Sequence, residues 1–200
     1  YVPFPLDTKR WGGHQDGAGQ TLEYAYQDWC LAQMAKSLGK EADYQLFFNR
    51  SNNWKNIFDT ETMWMRPREL DGSWRKKFDP FMYESGFVES NAAQSTWYVP
   101  HDLPSLATLM GGNDAAAEKL NNSFEIAEKL DFTSGKSHSK ELEEANKRIP
   151  INYGNQPSIE TAFVFNHFEK PWLTQYWSRK VTETVFGGLS PEVGFSGDED

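Results

Sequence analysis

The chain has 200 residues, enough for one domain with a proper core or for part of a larger one, and its formal net charge of −9 argues against a nucleic-acid partner, which would need a basic face. Aromatic residues make up 15% of it, eight Trp among them, too many for a disordered segment and suited in part to lining a ligand site. A lone Cys30 excludes an internal disulfide framework and a cysteine-based zinc site, and no apolar run approaches the roughly 18 residues of a membrane span.

Tyr1 is no natural start, no signal peptide opens the chain, and Asp200 follows a loop, so an excised piece of a longer protein is expected. Residues 1 to 19 are rich in Pro and Gly and read as irregular. The run Gly12 to Gly19 lacks the third glycine and preceding strand of a phosphate loop and reads as a turn. From Thr21 to Leu38 the spacing of Leu22, Ala25, Tyr26, Trp29, Leu31, Met34 and Ala35 predicts a helix with Gly39 as its stop. Its apolar face is wide, which predicts enclosure by other helices, with Cys30 as a buried thiol. A second, amphipathic helix is expected from Glu41 to about Asn56, making an antiparallel hairpin with the first.

Residues 59 to 86 break the helical pattern with Arg66-Pro67-Arg68, Asp71-Gly72 and Asp79-Pro80. Trp64, Trp74, Phe78, Phe81 and Tyr83 argue for an ordered insertion; Arg66 and Arg68 could face a ligand, though such residues more often pair with acidic neighbours or solvent. Helical pattern returns from Ser90 to Val99 and stops at Pro100. Asp102 reads as the N-cap of a helix over Leu103 to Met110, and Asn113 as the cap of another reaching about Leu130. Residues 133 to 148 read as a polar loop around His138. The cluster Tyr153 to Ser158 precedes a helix carrying Phe163, Val164 and His167, and a last helix runs from Pro171 to Gly187-Gly188. Asn49 and Asn121 match a glycosylation acceptor, but both fall in predicted helices. Alternating inner and outer helices suggest an all-α toroid of helical hairpins with long irregular loops.

The stretch Phe87 to Asp102 (F-V-E-S-N-A-A-Q-S-T-W-Y-V-P-H-D) carries the chemistry. A carboxyl at Glu89, hydroxyls and amides at Ser90, Asn91, Gln94, Ser95 and Thr96, and the flat faces of Trp97 and Tyr98 suit a sugar. Hydroxyls need fixed donors and acceptors, a pyranose face can lie on an aromatic plane, and a carboxyl can protonate a glycosidic oxygen. The competing reading is a helix start capped by Ser90 or Asn91. His101 is a possible acid, base or ligand, though a lone His is more often structural. The terminal Gly197-Asp198-Glu199-Asp200 stacks carboxylates that repel unless solvated, metal-bound or catalytic.

Taken in order, T-L-E-Y-A-Y-Q-D-W at Thr21 to Trp29, Met65-Arg66-Pro67-Arg68, the Glu89 segment, W-Y-V-P-H-D at Trp97 to Asp102, Met110-Gly111-Gly112, G-N-Q-P-S at Gly154 to Ser158 and the terminal G-D-E-D resemble the family 92 glycoside hydrolases. Each motif is weak alone, but their shared order runs over nearly the whole chain. The resemblance implies an exo-acting, calcium-dependent α-mannosidase that inverts the anomeric centre, acting on terminal mannose of a glycan. It further implies part of an (α/α)6 catalytic domain in residues 1 to 200, an N-terminal β-sandwich and the rest of the toroid as its partners, and a periplasmic or extracellular location.

By the same resemblance Glu89 takes the place of the general acid, and Asp198 and Asp200 that of the carboxylates associated with the general base. Asp200, Asn155 and Gln156 fall near the calcium, while Asn155, Gln156, Trp97 and His101 fall at the sugar. The commoner family residue at Gln156 is Glu, so an amide there departs from the pattern behind the usual α-1,2 preference. Two other readings stand beside this one: a non-catalytic carbohydrate-binding or scaffold piece, and a different α/α-toroid glycosidase.

Overall fold

The computed structural model describes residues 1–4, 17–132 and 148–185. Within them lie six α-helices: α1 (Gly17–Ser37), α2 (Glu41–Arg50), α3 (Ala92–Ser95), α4 (Leu103–Leu109), α5 (Asn113–Glu128) and α6 (Pro171–Thr184). Two-residue strands β1 (Phe58–Asp59) and β2 (Trp64–Met65) pair antiparallel, Phe58 opposite Met65. Short stretches of 310 helix cover Ser51–Ile57, Gln156–Ser158 and Thr161–Phe168. The expected all-helical class with irregular connections is what the chain adopts.

The first helix starts earlier than its neighbouring glycines suggest. Gly17 serves close approach rather than a turn, because a Cβ there would sit 2.5 Å from the Pro3 carbonyl oxygen. Thr21 Oγ1 donates to the Gly17 carbonyl at 2.7 Å and accepts from the Val2 amide at 2.8 Å, fastening the entry segment to the helix. At the other end Gly39 adopts φ +67°, and the Lys40 amide reaches back to the Ala35 carbonyl at 2.9 Å. That left-handed cap turns the chain sharply, and α2 packs back along α1 as expected of a hairpin.

Which residues make that contact differs from the sequence reading. Small residues Ala25, Ala32 and Ala35 are buried, together with Asp28, which takes Arg50 Nε at 2.9 Å. Leu31, Met34 and Leu38 point outward, with Met34 63% exposed, and Cys30 is exposed as well. Alanines let the backbones approach, whereas the larger apolar side chains go to the face that no described residue covers. The second helix also ends sooner than expected: Ser51 Oγ and Asn52 Nδ2 both donate to the Phe48 carbonyl, and the backbone tightens to a 310 helix that buries Trp54 and Ile57.

The core runs from Leu22, Trp54, Ile57 and Met65 through Phe87, Leu106 and Leu120 to Phe124, Phe132, Phe165 and Phe168. Helix α5 supplies Ala116, Ala117, Leu120, Phe124 and Ala127 at helical spacing, and Gly112 with φ +110° stands at its N-cap where Asn113 was expected. Trp177 of α6 stacks on Phe124 with centroids 5.1 Å apart and donates Nε1–H to Asn121 Oδ1 at 2.8 Å. The Asn121 side chain is thus engaged inside the protein. The 310 helix over Thr161–Phe168 wedges between α5 and α6.

The ordered insertion depends on Arg66. Its guanidinium meets Asp59 Oδ2 at 2.9 Å and the Arg75 carbonyl at 2.8 Å, while Arg68 lies over Trp74 at 3.5 Å and donates to the Asn56 and Gly72 carbonyls. Arg66 thus pairs with an acid as expected, whereas Arg68 is held by backbone carbonyls and an aromatic ring rather than by an acid. Burial pushes the Asp59 carboxyl up, but the hydrogen bond from Arg66, the Glu61 amide and the Arg66 charge together hold it below its ordinary value. A carboxyl lowered in the folded state contributes stability above the unfolded pKa of about 3.9 and loses it on acidification through its folded pKa. Arg66→Met in the full-length protein should strand Asp59 unpaired and cost about 3 kcal/mol by denaturant unfolding at pH 7, with a smaller penalty at pH 3. An equal penalty at both pH values would remove the ion pair from the account.

Candidate active site

Glu89 sits in a loop that leaves ordinary backbone space. Glu84, Gly86 and Glu89 all have positive φ, +52°, +95° and +46°, and a non-glycine residue there costs about 1 kcal/mol unless its surroundings hold it. The Glu84 amide donates to the Ser90 carbonyl at 2.8 Å, and the Gly19 amide of α1 donates to the Gly86 carbonyl at 3.0 Å. The loop is thereby closed on itself and tied to the first helix.

The polar run after Glu89 was expected to face a sugar, and the structure turns most of it inward. Ser90, Asn91, Gln94 and Thr96 are buried. Asn91 caps α3, its Oδ1 accepting from the Gln94 amide at 3.0 Å, which is the competing helix-start reading realised at that residue. Asn91 Nδ2 and Gln94 Nε2 both donate to the Ile149 carbonyl, at 3.0 and 2.8 Å. Thr96 Oγ1 donates to the Ala92 carbonyl and accepts from the Met65 amide. Buried amides and hydroxyls need such partners, and here they fix the loop rather than a ligand. Helix α3 is consequently four residues long, where the pattern over Ser90 to Val99 predicted a longer one.

Beside this loop lies the Gly154-Asn155-Gln156 turn. The Tyr153 amide donates to the Phe132 carbonyl, the Gly154 amide to Asn152 Oδ1 and the Asn152 amide to Ser158 Oγ, so the turn is built before any ligand arrives. Asn155 Nδ2 donates to the Glu89 carbonyl at 2.7 Å. Glu89, Asn155 and Gln156 then line one cavity of about 320 Å³ with Gly19, Glu23 and Tyr98. A larger one of about 650 Å³ adjoins it, sharing Glu23, Tyr98 and Gln156 and adding Tyr26, Glu160 and Phe163.

Two carboxylates of this cleft were missed by the sequence reading. Tyr98 Oη donates to Glu23 Oε2 at 3.5 Å, and burial, then the Glu23 and Tyr26 charges, push the phenol up to about 12. Glu160 faces the same space. The signal for Glu23 was present: Gly19, Glu23 and Tyr26 fall at i, i+4 and i+7, one stripe of α1 that is neither all apolar nor charged. Glu160 carried none, since it stands between two 310 turns that the periodicity did not show.

Trp97 and His101 fare differently. Trp97 borders the larger cavity but is only 3% exposed, packed edge-on against Trp64 and tilted on Phe168. Lys119 lies 3.3 Å over the Trp64 ring, and burial brings its ammonium down to about 8. Trp97 is a wall held from behind. His101 lines neither cavity: its Nε2 meets the Ser51 carbonyl at 3.0 Å, its ring stacks on Tyr26, and burial lowers its pKa. The ring thus packs on Tyr26 and Trp29, and the structure places His101 behind the cleft rather than in its lining, where a sugar contact was expected. Asp198 and Asp200 lie outside the described residues, as do His138 and Gly187-Gly188.

No group of three His, Cys, Asp or Glu that could hold a metal occurs among the described residues. Besides the carboxylates of Glu23, Glu89 and Glu160, the cleft offers a cation amide oxygen from Asn155 and Gln156. With the Asn155 nitrogen committed to Glu89, its oxygen is the end that could ligate, and oxygen-only donors fit a hard cation such as calcium.

With this geometry in view, the relatives decide the family. The model of the glycosyl hydrolase family 92 catalytic domain matches residues 1–200. The chain belongs to glycosyl hydrolase family 92. A family GH92 α-mannosidase from Bacteroides thetaiotaomicron, solved with mannoimidazole, superposes with a TM-score of 0.75 at 31% identity, over 92% of this chain and 24% of that one. A GH92 inverting mannosidase from the same organism gives a TM-score of 0.73 at 28% identity, over 92% and 25%. An uncharacterized secreted glycosidase of Arthroderma benhamiae is 26% identical over 184 residues, 78% of this chain and 20% of that protein. The chain thus spans about a quarter of the solved GH92 enzymes it matches. The match is to the family's catalytic domain, and the described helices have the fold of its helical toroid.

Proposed function

We propose that the full-length protein is an exo-acting α-mannosidase that removes terminal α-linked mannose, by an α-1,2 or related linkage, from a glycan with inversion and with calcium assistance. The observation that carries this reading is the convergence of Glu89 with Asn155, 66 residues apart in sequence, on one cleft in a GH92 catalytic domain. That two solved relatives are mannosidases, one of them inverting, supports the sugar and the stereochemistry.

Glu89 is the proposed general acid. An inverting glycosidase needs a carboxylic acid to protonate the leaving oxygen and a carboxylate about 6.5–9.5 Å away to activate water on the opposite face. Asp198 and Asp200 are the proposed base side, with Asp200, Asn155 and Gln156 holding the cation. Calcium, when bound, supplies a hard Lewis acid for vicinal sugar hydroxyls. The chain's own residues do the rest: Asn155 and Gln156 offer amide groups to sugar hydroxyls, and Trp97 closes the apolar wall. A neutral amide at Gln156 changes the charge offered to the neighbouring sugar, so the linkage preference follows this position. The name of the Arthroderma relative supports a location outside the cytoplasm. Tyr24, Met34, Leu38, Phe163 and Trp172 are exposed apolar groups that the remaining toroid helices and an N-terminal β-sandwich would cover.

Glu89→Gln in the full-length enzyme should lower kcat/KM for α-mannobiose by about 1,000-fold, because loss of a positioned acid typically costs 10²–10⁴, while an activated aryl α-mannoside loses far less. Equal losses on both would dismiss Glu89 as the acid. Treatment with EDTA should abolish turnover and added calcium restore it; indifference to the chelator would exclude the cation. Binding of mannosides without any turnover, or turnover of aryl glucosides in preference, would favour the non-catalytic and the glucosidase readings respectively.

A further inference from the structure

We propose that Asn155 is a positioning residue for Glu89, holding the acid's backbone through its amide N–H independently of any contact its amide oxygen makes to sugar or cation. The proposal rests on the reading of Glu89 as the acid. Glu89 has φ +46° and follows Val88, which is 43% exposed, so the nearest buried anchor before it is Phe87, two residues back. The segment on its C-terminal side is rigid: Ser90 Oγ lies 2.9 Å from Ser95 Oγ and donates to Gln94 Oε1 at 3.1 Å, and Asn91 and Gln94 hold the Ile149 carbonyl. The peptide between these halves carries the Glu89 carbonyl, and Asn155 Nδ2 donates to it at 2.7 Å.

Asn155 can act as a fixed point because it is itself anchored. It is 7% exposed, its amide donates to the Asn152 carbonyl at 3.2 Å, and its carbonyl accepts from the Ser158 amide at 3.1 Å. Three side-chain amides, Asn91, Gln94 and Asn155, thus stitch residues 149–155 to residues 89–94, each bonding a backbone carbonyl. The Asn155 stitch ends on the residue whose carboxyl must meet the glycosidic oxygen. Release of that carbonyl lets the peptide rotate and swings the carboxyl, and a misplacement of about 1 Å can cost 10²-fold in rate.

Asn155→Asp separates this role from ligation. The substitution keeps the size and the side-chain oxygen, so a sugar hydroxyl or calcium still finds an acceptor, but it replaces the nitrogen with a second oxygen and removes the N–H that Glu89 receives. In the full-length enzyme, with each variant assayed at its own pH optimum, N155D should reduce kcat for α-mannobiose about 100-fold and for an activated aryl α-mannoside by less than about tenfold, the pattern of E89Q. Calcium affinity by calorimetry should be retained or increased. If N155D does not accumulate as folded protein, Asn155→Ser, which gives up the 2.7 Å contact together with the amide oxygen, is read only by whether its loss on α-mannobiose exceeds its loss on the aryl α-mannoside by about tenfold or more; equal losses overturn the positioning role.

Full disaccharide turnover by N155D, or equal losses on both substrates with weakened calcium binding, would overturn the positioning role and leave Glu89 untouched. Absence of the leaving-group pattern in E89Q would instead overturn the acid assignment and this inference with it.

Discussion

The hydrogen bond from Asn155 Nδ2 to the Glu89 carbonyl is the one of three side-chain amide stitches that ends on the proposed acid, and the site depends on the two segments it helps to join. Neither segment is regular secondary structure. One is a loop with three positive-φ residues, the other a turn entering a 310 helix, and both are held by side chains that bond backbone carbonyls and amides. A loop of this kind is ordered only where its polar groups are all engaged, and the buried Ser, Asn, Gln and Thr on the C-terminal side of Glu89 provide that engagement. The hydrogen-bonding residues nearest the proposed acid therefore serve the protein first and the substrate second.

The hydrophobic core places this polar knot. Phe87 anchors the loop on one side of Glu89, Ile149 and Ile151 lie beneath the amide stitches, and Phe124, Phe132 and Tyr153 pack together behind the Asn155 turn. Helix α1 completes the cleft by contributing Gly19, where the loop approaches, and Glu23 and Tyr26 one and two turns further on. The same helix turns Leu31, Met34 and Leu38 away from the described core. One face of α1 thus belongs to the site, while its outward apolar face awaits the rest of the proposed toroid.

The helices were legible in the sequence because apolar spacing and glycine caps are local signals. The α1–α2 hairpin, α4, α5 and α6 arise from them, with boundaries displaced where Ser51, Asn52 or Gly112 redirected the backbone. The site was legible in part. Glu89, Asn155 and Gln156 do come together, a pairing that no local pattern reveals and that entered through resemblance to a family. The inward turn of Asn91, Gln94 and Thr96 was not legible, because a buried amide that bonds a carbonyl 55 or 58 residues away looks in sequence like one that bonds a sugar. The surroundings of His101 were illegible for the same reason: its partners, Ser51, Tyr26 and Trp29, come from other elements. Glu23 escaped notice since a carboxylate on a helix is usually solvated.

Everything proposed about catalysis requires that the Glu89 carboxyl face a second carboxylate across one sugar ring. A crystal structure of the full-length protein with a bound mannose analogue measures this directly. The account predicts that Asp198 or Asp200 lies about 6.5–9.5 Å from the Glu89 carboxyl, with a water between the base and the anomeric carbon. A separation of about 5 Å, the spacing of a retaining enzyme, or placement of the two carboxyls on different walls of the molecule, would contradict it.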